Sequence, residues 1–408
     1  MSITRTRYGV SPWVDQLPAS RRPDYSRLRG AQTAEVVVIG AGLAGCATAY
    51  ACAVAGIKTI VLEADRVGQG SAARGAGLLL PEPGPAFRDV EQRHGLRVAR
   101  VAFDGWRRAA LEAAALLRRL HIRCGLASLD SLIVASGGDE KALRREFDAR
   151  VKATLDASWM SPPKLYNAAT PAAPGGIRMR DAFSLDPYRA CLGLAVAAAS
   201  RGALFFERSG VRSVKAGRAH VDVVAETGTV RASTVVVTTG TPGVEFASLR
   251  RHFKRRERYL VLTEPMPAQV RRQIGSRDLT FSDTQTPPHR VRWMPDDRIL
   301  VSGAEQGETS ERKRAAVLVQ RTGQLMYELL TMFPMISGLV PEYGWEIVSG
   351  ETTDALMRVG PHRNFPHHLF ALGGGGDSVT GAFLAARIIL RALRGTPDKT
   401  DAVWGFTR

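Results

Sequence analysis

The chain has 408 residues, of which 45% are hydrophobic and 23% charged, a composition that suits one large core or two and excludes disordered or fibrous classes. Its net charge of +17 raises the question of nucleic acid. The surplus is nevertheless spread along the chain and interleaved with acids, as in Glu311-Arg312-Lys313-Arg314, and without a nucleic-acid module that partner is set aside.

Residues 1–34 are rich in Pro and Arg, carry Trp13 and Tyr25, and read as an extended arm on the first domain. No apolar signal core precedes the fold, and Arg21-Arg22 runs into Pro23-Asp24 rather than an export segment, so the expected location is the cytoplasm. Val36–Ile39 is a short β-branched run of the kind buried on both faces of a parallel sheet. Gly40, Gly42 and Gly45 follow at G-x-G-x-x-G spacing, and an Ala-rich helix runs to Gly56. A second apolar strand, Thr59–Leu62, closes on Glu63. Gly40 permits the tight turn, Gly42 lets a pyrophosphate approach the backbone, and Gly45 lets helix and strand pack closely. The helix N-terminus offers free N–H groups to phosphate, and Glu63 lies where an acid meets a ribose hydroxyl. The stretch 36–57 is uncharged and long enough to span a bilayer, but its clustered glycines and strand-like continuation argue against that reading.

Beyond Glu63 a loop of small residues and glycines, 64–83, is suited to close backbone approach to a pyrophosphate or a flat ring. Helical periodicity occupies residues 89–121, a strand 129–134 and a helix 139–155. An Ala-rich helix opens at Asp186-Pro187-Tyr188, followed by strands at 203–207, 210–215, 219–225, 230–232 and 234–238. The densest basic run, Arg250 to Arg258, reads chiefly as a solvated face; steering of an anionic substrate and peripheral contact with an acidic membrane surface are the alternatives. Strands at 259–263, 289–294 and 299–302 suggest a second sheet, and 312–331 a long amphipathic helix. The tail returns to the first domain with a strand at 369–372, the loop Gly373–Gly376 and a helix at 380–393. Cys46, Cys52, Cys124 and Cys191 have no metal-ligand spacing and read as reduced structural thiols, with no metal site.

The expected fold is α/β: a Rossmann-like dinucleotide domain with a discontinuous second α+β substrate domain on a largely antiparallel sheet. Residues 35–100, 181–250 and 345–408 form the first domain, and 101–180 and 251–344 the second. The glycine loop after the last strand would lie at the carboxyl end of the sheet, a cofactor contact far from the first. A long flavin dinucleotide requires that separation, so FAD is the expected cofactor.

At this point the chain resembles the D-amino-acid oxidase-like family of FAD-dependent oxidoreductases, which holds glycine, sarcosine and γ-glutamylputrescine oxidases. The likeness rests on VVVIGAGLAG with Glu63, GQGSAARGAGLL, LDPYRACLGLAVAAASRGALFFERSGV, ASTVVVTTG, RYLVLTEP, DDRILVSG, TTDALMRVG and HHLFALGGGGDSVTG in that order. It implies that Gly40, Ala41, Gly42, Leu43, Ala44 and Gly45 hold the pyrophosphate, with Glu63 and Ala64 at the adenosine ribose. Gly70, Ser71, Arg74, Gly75, Ala76 and Gly77 would run toward the flavin. Val211 would meet the adenine, and Thr239 and Gly240 would close the dinucleotide fold. Gly374, Gly375, Gly376, Asp377, Ser378, Val379 and Thr380 would meet the isoalloxazine ring. Some members attach flavin through a Cys in the second domain or a His in the loop after the first βαβ unit; here no Cys follows Cys191 and Arg74 stands at the latter place, so the FAD is expected to be non-covalent.

The implied reaction is hydride transfer from the carbon of a C–N bond to flavin, with an amine or amino acid as substrate and O2 or another acceptor for the electrons. Amino-acid oxidising members place a carboxylate-binding Arg where this chain has Ser349, and Arg290 or Arg292 is the candidate substitute. Arg290, Arg292 and Met294 should share one strand face, with Val291 and Trp293 on the other; solvated edge arginines are the competing view. His289 is a candidate base or an ordinary surface histidine. Tyr259, Trp345 and Tyr343 are candidates for an aromatic wall or for core packing. A dehydrogenase serving a quinone or partner protein, and a flavin-bound subunit without turnover, are the rival functions.

Overall fold

A computed structural model describes residues 5–169, 172–276, 278–354, 356–375 and 379–407. The fold is mixed α/β, with two large sheets whose side chains, together with those of the helices, contribute to one shared apolar core. The first sheet is built on parallel strands in the order Phe365–Leu372, Gly228–Gly240, Gly30–Ile39, Thr59–Leu62 and Leu204–Phe206. In register, Val38 pairs with Val236 on one side and Val61 on the other. Val36 to Ile39 are buried, as a β-branched run covered on both faces must be. Helices Leu43–Val54, Pro187–Ala199 and Val379–Leu393 pack over one face.

The expected break near Ser233 is absent. Gly228–Gly240 is one strand because the neighbouring strand, which starts already at Gly30, pairs with it from Gly228 through Val237. Among the described residues no helix is long and apolar enough to cross a membrane. The uncharged stretch 36–57 is divided between a strand ending at Ile39 and a helix starting at Leu43.

The second sheet runs Arg7–Tyr8, Pro341–Thr352, Phe253–Thr263, Ile299–Gln306, Arg290–Trp293, Leu279–Asp283, Ala127–Val134, Gly176–Ser184, Leu78–Leu79. Its pairs are antiparallel except Arg7–Tyr8 with Pro341–Thr352 and Leu279–Asp283 with Ala127–Val134. Strand parity divides its central side chains. Leu260, Leu262, Leu300, Tyr343, Trp345 and Ile347 face the first domain. Tyr259, Val261, Val291, Trp293, Ile299 and Val301 lie in a separate core beneath helix Glu311–Met332. Met294 packs on the first-domain side, so the two-face division of strand Arg290–Trp293 is as its alternation implied.

Two boundaries drawn from the sequence cut through elements. Pro341–Thr352 continues in the second sheet past the expected switch at 345, because it pairs along its length with Phe253–Thr263. Helix Leu96–Arg119 crosses the boundary at 100 and packs on Val379–Leu393 of the first domain. Residues 7–8 do not merely lie on the first domain; they add an edge strand to the second sheet.

Candidate cofactor cleft and substrate cavity

A cleft of about 430 Å³ opens at the carboxyl ends of the parallel strands. Gly40, Gly42, Leu43 and Ala44 line its start, with Glu63 and Ala64 beside them. Gly70, Ser71 and Gly75 lie along it, with Val211 at the start of strand Val211–Ala216 and Thr239 and Gly240 at the end of strand Gly228–Gly240. Gly374, Gly375 and Val379 line the end nearest the second sheet. Residues 376–378, the expected continuation of that loop, lie outside the described residues. The cleft also involves Thr238, Gly210, Phe246 and Met357, which sequence reasoning missed. Their signal was weak, since each is a common residue at a strand end or loop.

The three motif glycines differ in what demands them. Gly40 has φ +100°, a conformation that favours glycine. A Cβ on Gly45 would stand 1.9 Å from the Gly40 carbonyl oxygen, so helix and strand touch through it. A Cβ on Gly42 meets no protein atom within 4 Å, and the same holds at Gly70 and Gly375. The space a side chain would fill at these three positions is the cleft, as expected of a cradle for an extended ligand. Glu63 accepts from the N–H of Ala41 at 2.7 Å and of Asp65 at 3.1 Å, which ties the acid to the glycine turn. Burial pushes its carboxyl above the ordinary value, and those N–H groups partly offset the shift.

The loop at 73–77 is gripped from behind through five consecutive carbonyls. Ser11 Oγ donates to that of Ala73, and Trp345 Nε1 to that of Arg74 at 2.7 Å. Trp13 Nε1 donates to that of Gly75 at 2.9 Å. Arg292 Nη1 reaches those of Ala76 (2.6 Å), Gly77 (2.8 Å) and Leu185 (2.9 Å). Gly77 does not line the cleft; a Cβ there would lie 2.2 Å from the Leu185 oxygen and 2.5 Å from Arg292 Nη1. The Arg74 guanidinium turns away to the Glu346 carbonyl at 3.1 Å.

Next to the cleft, sharing Met357, Gly374 and Gly375 with it, lies a cavity of about 660 Å³. Thr380 lines it and donates to the Leu80 carbonyl at 2.8 Å. From the second sheet it receives Arg256, Arg258, Arg290, Glu305 and Glu351. Arg258 holds Glu305 Oε2 from Nε (3.1 Å) and Nη2 (2.8 Å). A further cavity of about 580 Å³ continues past Arg290 and Glu82 toward Asp139 and Gln285. The basic run Arg250–Arg258, read chiefly as a solvated face, is thus partly a strand whose even positions enter the cavity. The period-two signal was present but masked, since charged residues occupy both parities.

Parity also revises the other candidates. Arg292 is on the cavity side, but it is buried and its Nη1 is held by the carbonyls of Ala76, Gly77 and Leu185; burial pushes its guanidinium down to about 10 despite Asp186. It supports the cleft instead of meeting a substrate. His289 lies on the opposite face, buried, with Nδ1 2.7 Å from Asp283 and Nε2 2.8 Å from Glu328 of the covering helix. Burial alone would lower its pKa, but the two carboxylates outweigh that and raise it. With both nitrogens engaged it has no lone pair for a substrate proton, so the base role is withdrawn. Tyr259 is buried on that same face, donating to Glu257 at 3.0 Å. Trp345 and Tyr343 face the first domain as buried core residues, not as a wall of the cavity. Of these six residues, Arg290 alone lines the cavity.

Comparison with known proteins agrees with this geometry. Residues 35–392 match the family model DAO, described as FAD dependent oxidoreductase. The chain is 25% identical over 414 residues to a probable oxidoreductase, OrdL, of Haemophilus influenzae, covering 95% of this chain and 89% of that protein. It is 23% identical to the gamma-glutamylputrescine oxidoreductase of Escherichia coli, over 94% of this chain and 89% of that one. In fold it is similar to the glycine oxidase of Geobacillus kaustophilus, with TM-score 0.75 and 16% identity over 92% of this chain and 99% of that one. A glycine-lined cleft at the strand ends, a charged cavity against its far end and a match over most of the length converge on one assignment: the chain belongs to the DAO family of FAD-dependent oxidoreductases.

Proposed function

We propose that the protein oxidises the C–N bond of a primary or secondary amine or an amino acid, yielding an imine that water hydrolyses. The observation that carries this reading is the continuity of the cleft with a cavity holding both arginines and glutamates, a lining suited to a zwitterion or an amine with a second polar end. Relatives named for glycine, L-amino acids and gamma-glutamylputrescine point the same way. Bound FAD would supply the hydride acceptor. Gly40 to Ala44 would face its pyrophosphate, Glu63 its ribose, and Gly374, Gly375 and Val379 the ring end. Arg290 would orient an anionic group of the substrate, while the apolar lining (Leu78, Leu80, Met357) limits water at the reacting carbon.

We expect the flavin to be held without a covalent bond, because no described residue lining cleft or cavity is a cysteine or histidine. The four cysteines are free and buried, in keeping with work in a reducing cytoplasm. Anaerobic mixing with a panel of amines and amino acids tests the reading: the true substrate bleaches the oxidised flavin, and failure across the panel sinks it. Peroxide release on readmitting air would assign O2 as acceptor. Reduction of dyes alone would assign a quinone or protein partner.

A further inference from the structure

The cavity contains a pair of carboxyl groups that the family motifs did not predict. Glu305 and Glu351 come from different strands and meet at the edge of the cofactor cleft. Glu305 is fixed by the two contacts from Arg258 described above. Glu351 lies at the end of its strand, on the same face as Trp345 and Ile347, and its backbone bridges to Gly374 of the ring-end loop. Arg256 Nε is 3.8 Å from Glu351 Oε2 and 3.9 Å from Glu305 Oε1. Two carboxyls so close cannot both ionise freely, and the charge of Glu305 acts on Glu351.

We propose that Glu351 is the catalytic residue that receives the substrate ammonium and takes its proton, with Glu305 as the positioning residue beside it. The inference rests on the amine-oxidising reading above. The nitrogen–hydrogen bond breaks, the proton goes to an ionised Oε of Glu351, and the lone pair stays on nitrogen. When the hydrogen on the adjacent carbon leaves with its bonding pair toward the flavin, that lone pair closes the C=N bond. No further oxidant is needed for this half of the reaction. The backbone bridge to Gly374 holds this end of the strand beside the ring-end loop, and Arg258 ties Glu305 in place next to it.

Burial, then the charge of Glu305 and its hydrogen bond, hold the Glu351 carboxyl above the ordinary value; Arg258 and Arg256 pull the other way. Arg290 on the sheet and Glu82, Asp89 and Arg93 also line the cavity, and Lys254 stands opposite Glu351 on the neighbouring strand. Raising pH ionises Glu351, so the rate of flavin reduction should rise along an acid limb above the usual carboxylate range.

Holoenzyme, E351Q and E305Q provide the test. tert-Butylamine has no hydrogen on the carbon bearing nitrogen, so it can bind but not react, and its binding is read from the flavin spectrum. E351Q should retain wild-type flavin content, bind this probe about tenfold or more weakly, and reduce about a hundredfold or more slowly without the acid limb. E305Q should keep the limb but move it to lower pH, because the charge that raises Glu351 is gone. Unchanged probe affinity and an unchanged limb in E351Q would overturn the proposal, as would an unmoved limb in E305Q should E351Q not fold. If instead no amine bleaches the wild-type flavin, the amine-oxidising reading itself has failed; bleaching by both proteins with identical profiles removes only the role of Glu351.

Discussion

His289 and Arg290 are adjacent in the chain, as are Arg258 and Tyr259, yet each pair is split between opposite faces of one sheet. On the face toward the first domain, Arg258 and Arg290 reach a cavity and Arg292 grips the loop at 73–77. On the face under helix Glu311–Met332, His289 and Tyr259 are tied into buried polar networks with Asp283, Glu328 and Glu257. The chemical type of a residue thus says less about its task than its parity does. A histidine beside a cavity arginine points away from the cavity for the same reason that the arginine points into it.

Four substitutions test this contrast. The largest effect is expected from Arg292→Met, which leaves three buried carbonyls without their donor at about 1–3 kcal/mol each. Thermal midpoint and flavin content should both fall; a stable, fully yellow variant would show that the grip is dispensable. Arg290→Gln should leave stability within about 0.5 kcal/mol but weaken kcat/KM for carboxylate-bearing substrates about tenfold or more. Equal loss for substrates lacking an anion would break the assigned role.

His289→Gln should do the reverse, sparing turnover and lowering stability by about 1–2 kcal/mol. Because the folded-state pKa of His289 is raised, its stabilisation is complete below the ordinary histidine value and is lost as pH rises through the folded value. Denaturation midpoints of wild type and variant should therefore converge on the alkaline side; a gap that widens with pH contradicts the sign. Tyr259→Phe should cost only about 1 kcal/mol from its bonds to Glu257 and Gln306, with kinetics unchanged. A kinetic defect here would mean that the two faces communicate.

The first βαβ unit was legible because its constraints are local. Gly40, Gly42 and Gly45 act within a few residues of one another, and the buried strands on either side are plain apolar runs. The cavity was not legible, since its charged residues come from four strands whose pairing no local signal specifies. Strand Phe253–Thr263 hides behind a charge run, and Pro341–Thr352 shows no strong alternation around Gly344 and Gly350. Arg292 had the expected face but the wrong partner, because only the folded chain reveals that the loop carbonyls fill its reach.

The grip on residues 73–77 also dictates a schedule. Two of its donors, Ser11 and Trp13, precede the loop in the chain, but Arg292 and Trp345 follow far behind it. Residues 7–8 likewise wait for Tyr343 and Gly344 before they have an edge to join. A nascent chain can therefore form its glycine turn long before it can lock the loop beside it. The loop is held only once the distant strands carrying Arg292 and Trp345 have joined the sheet.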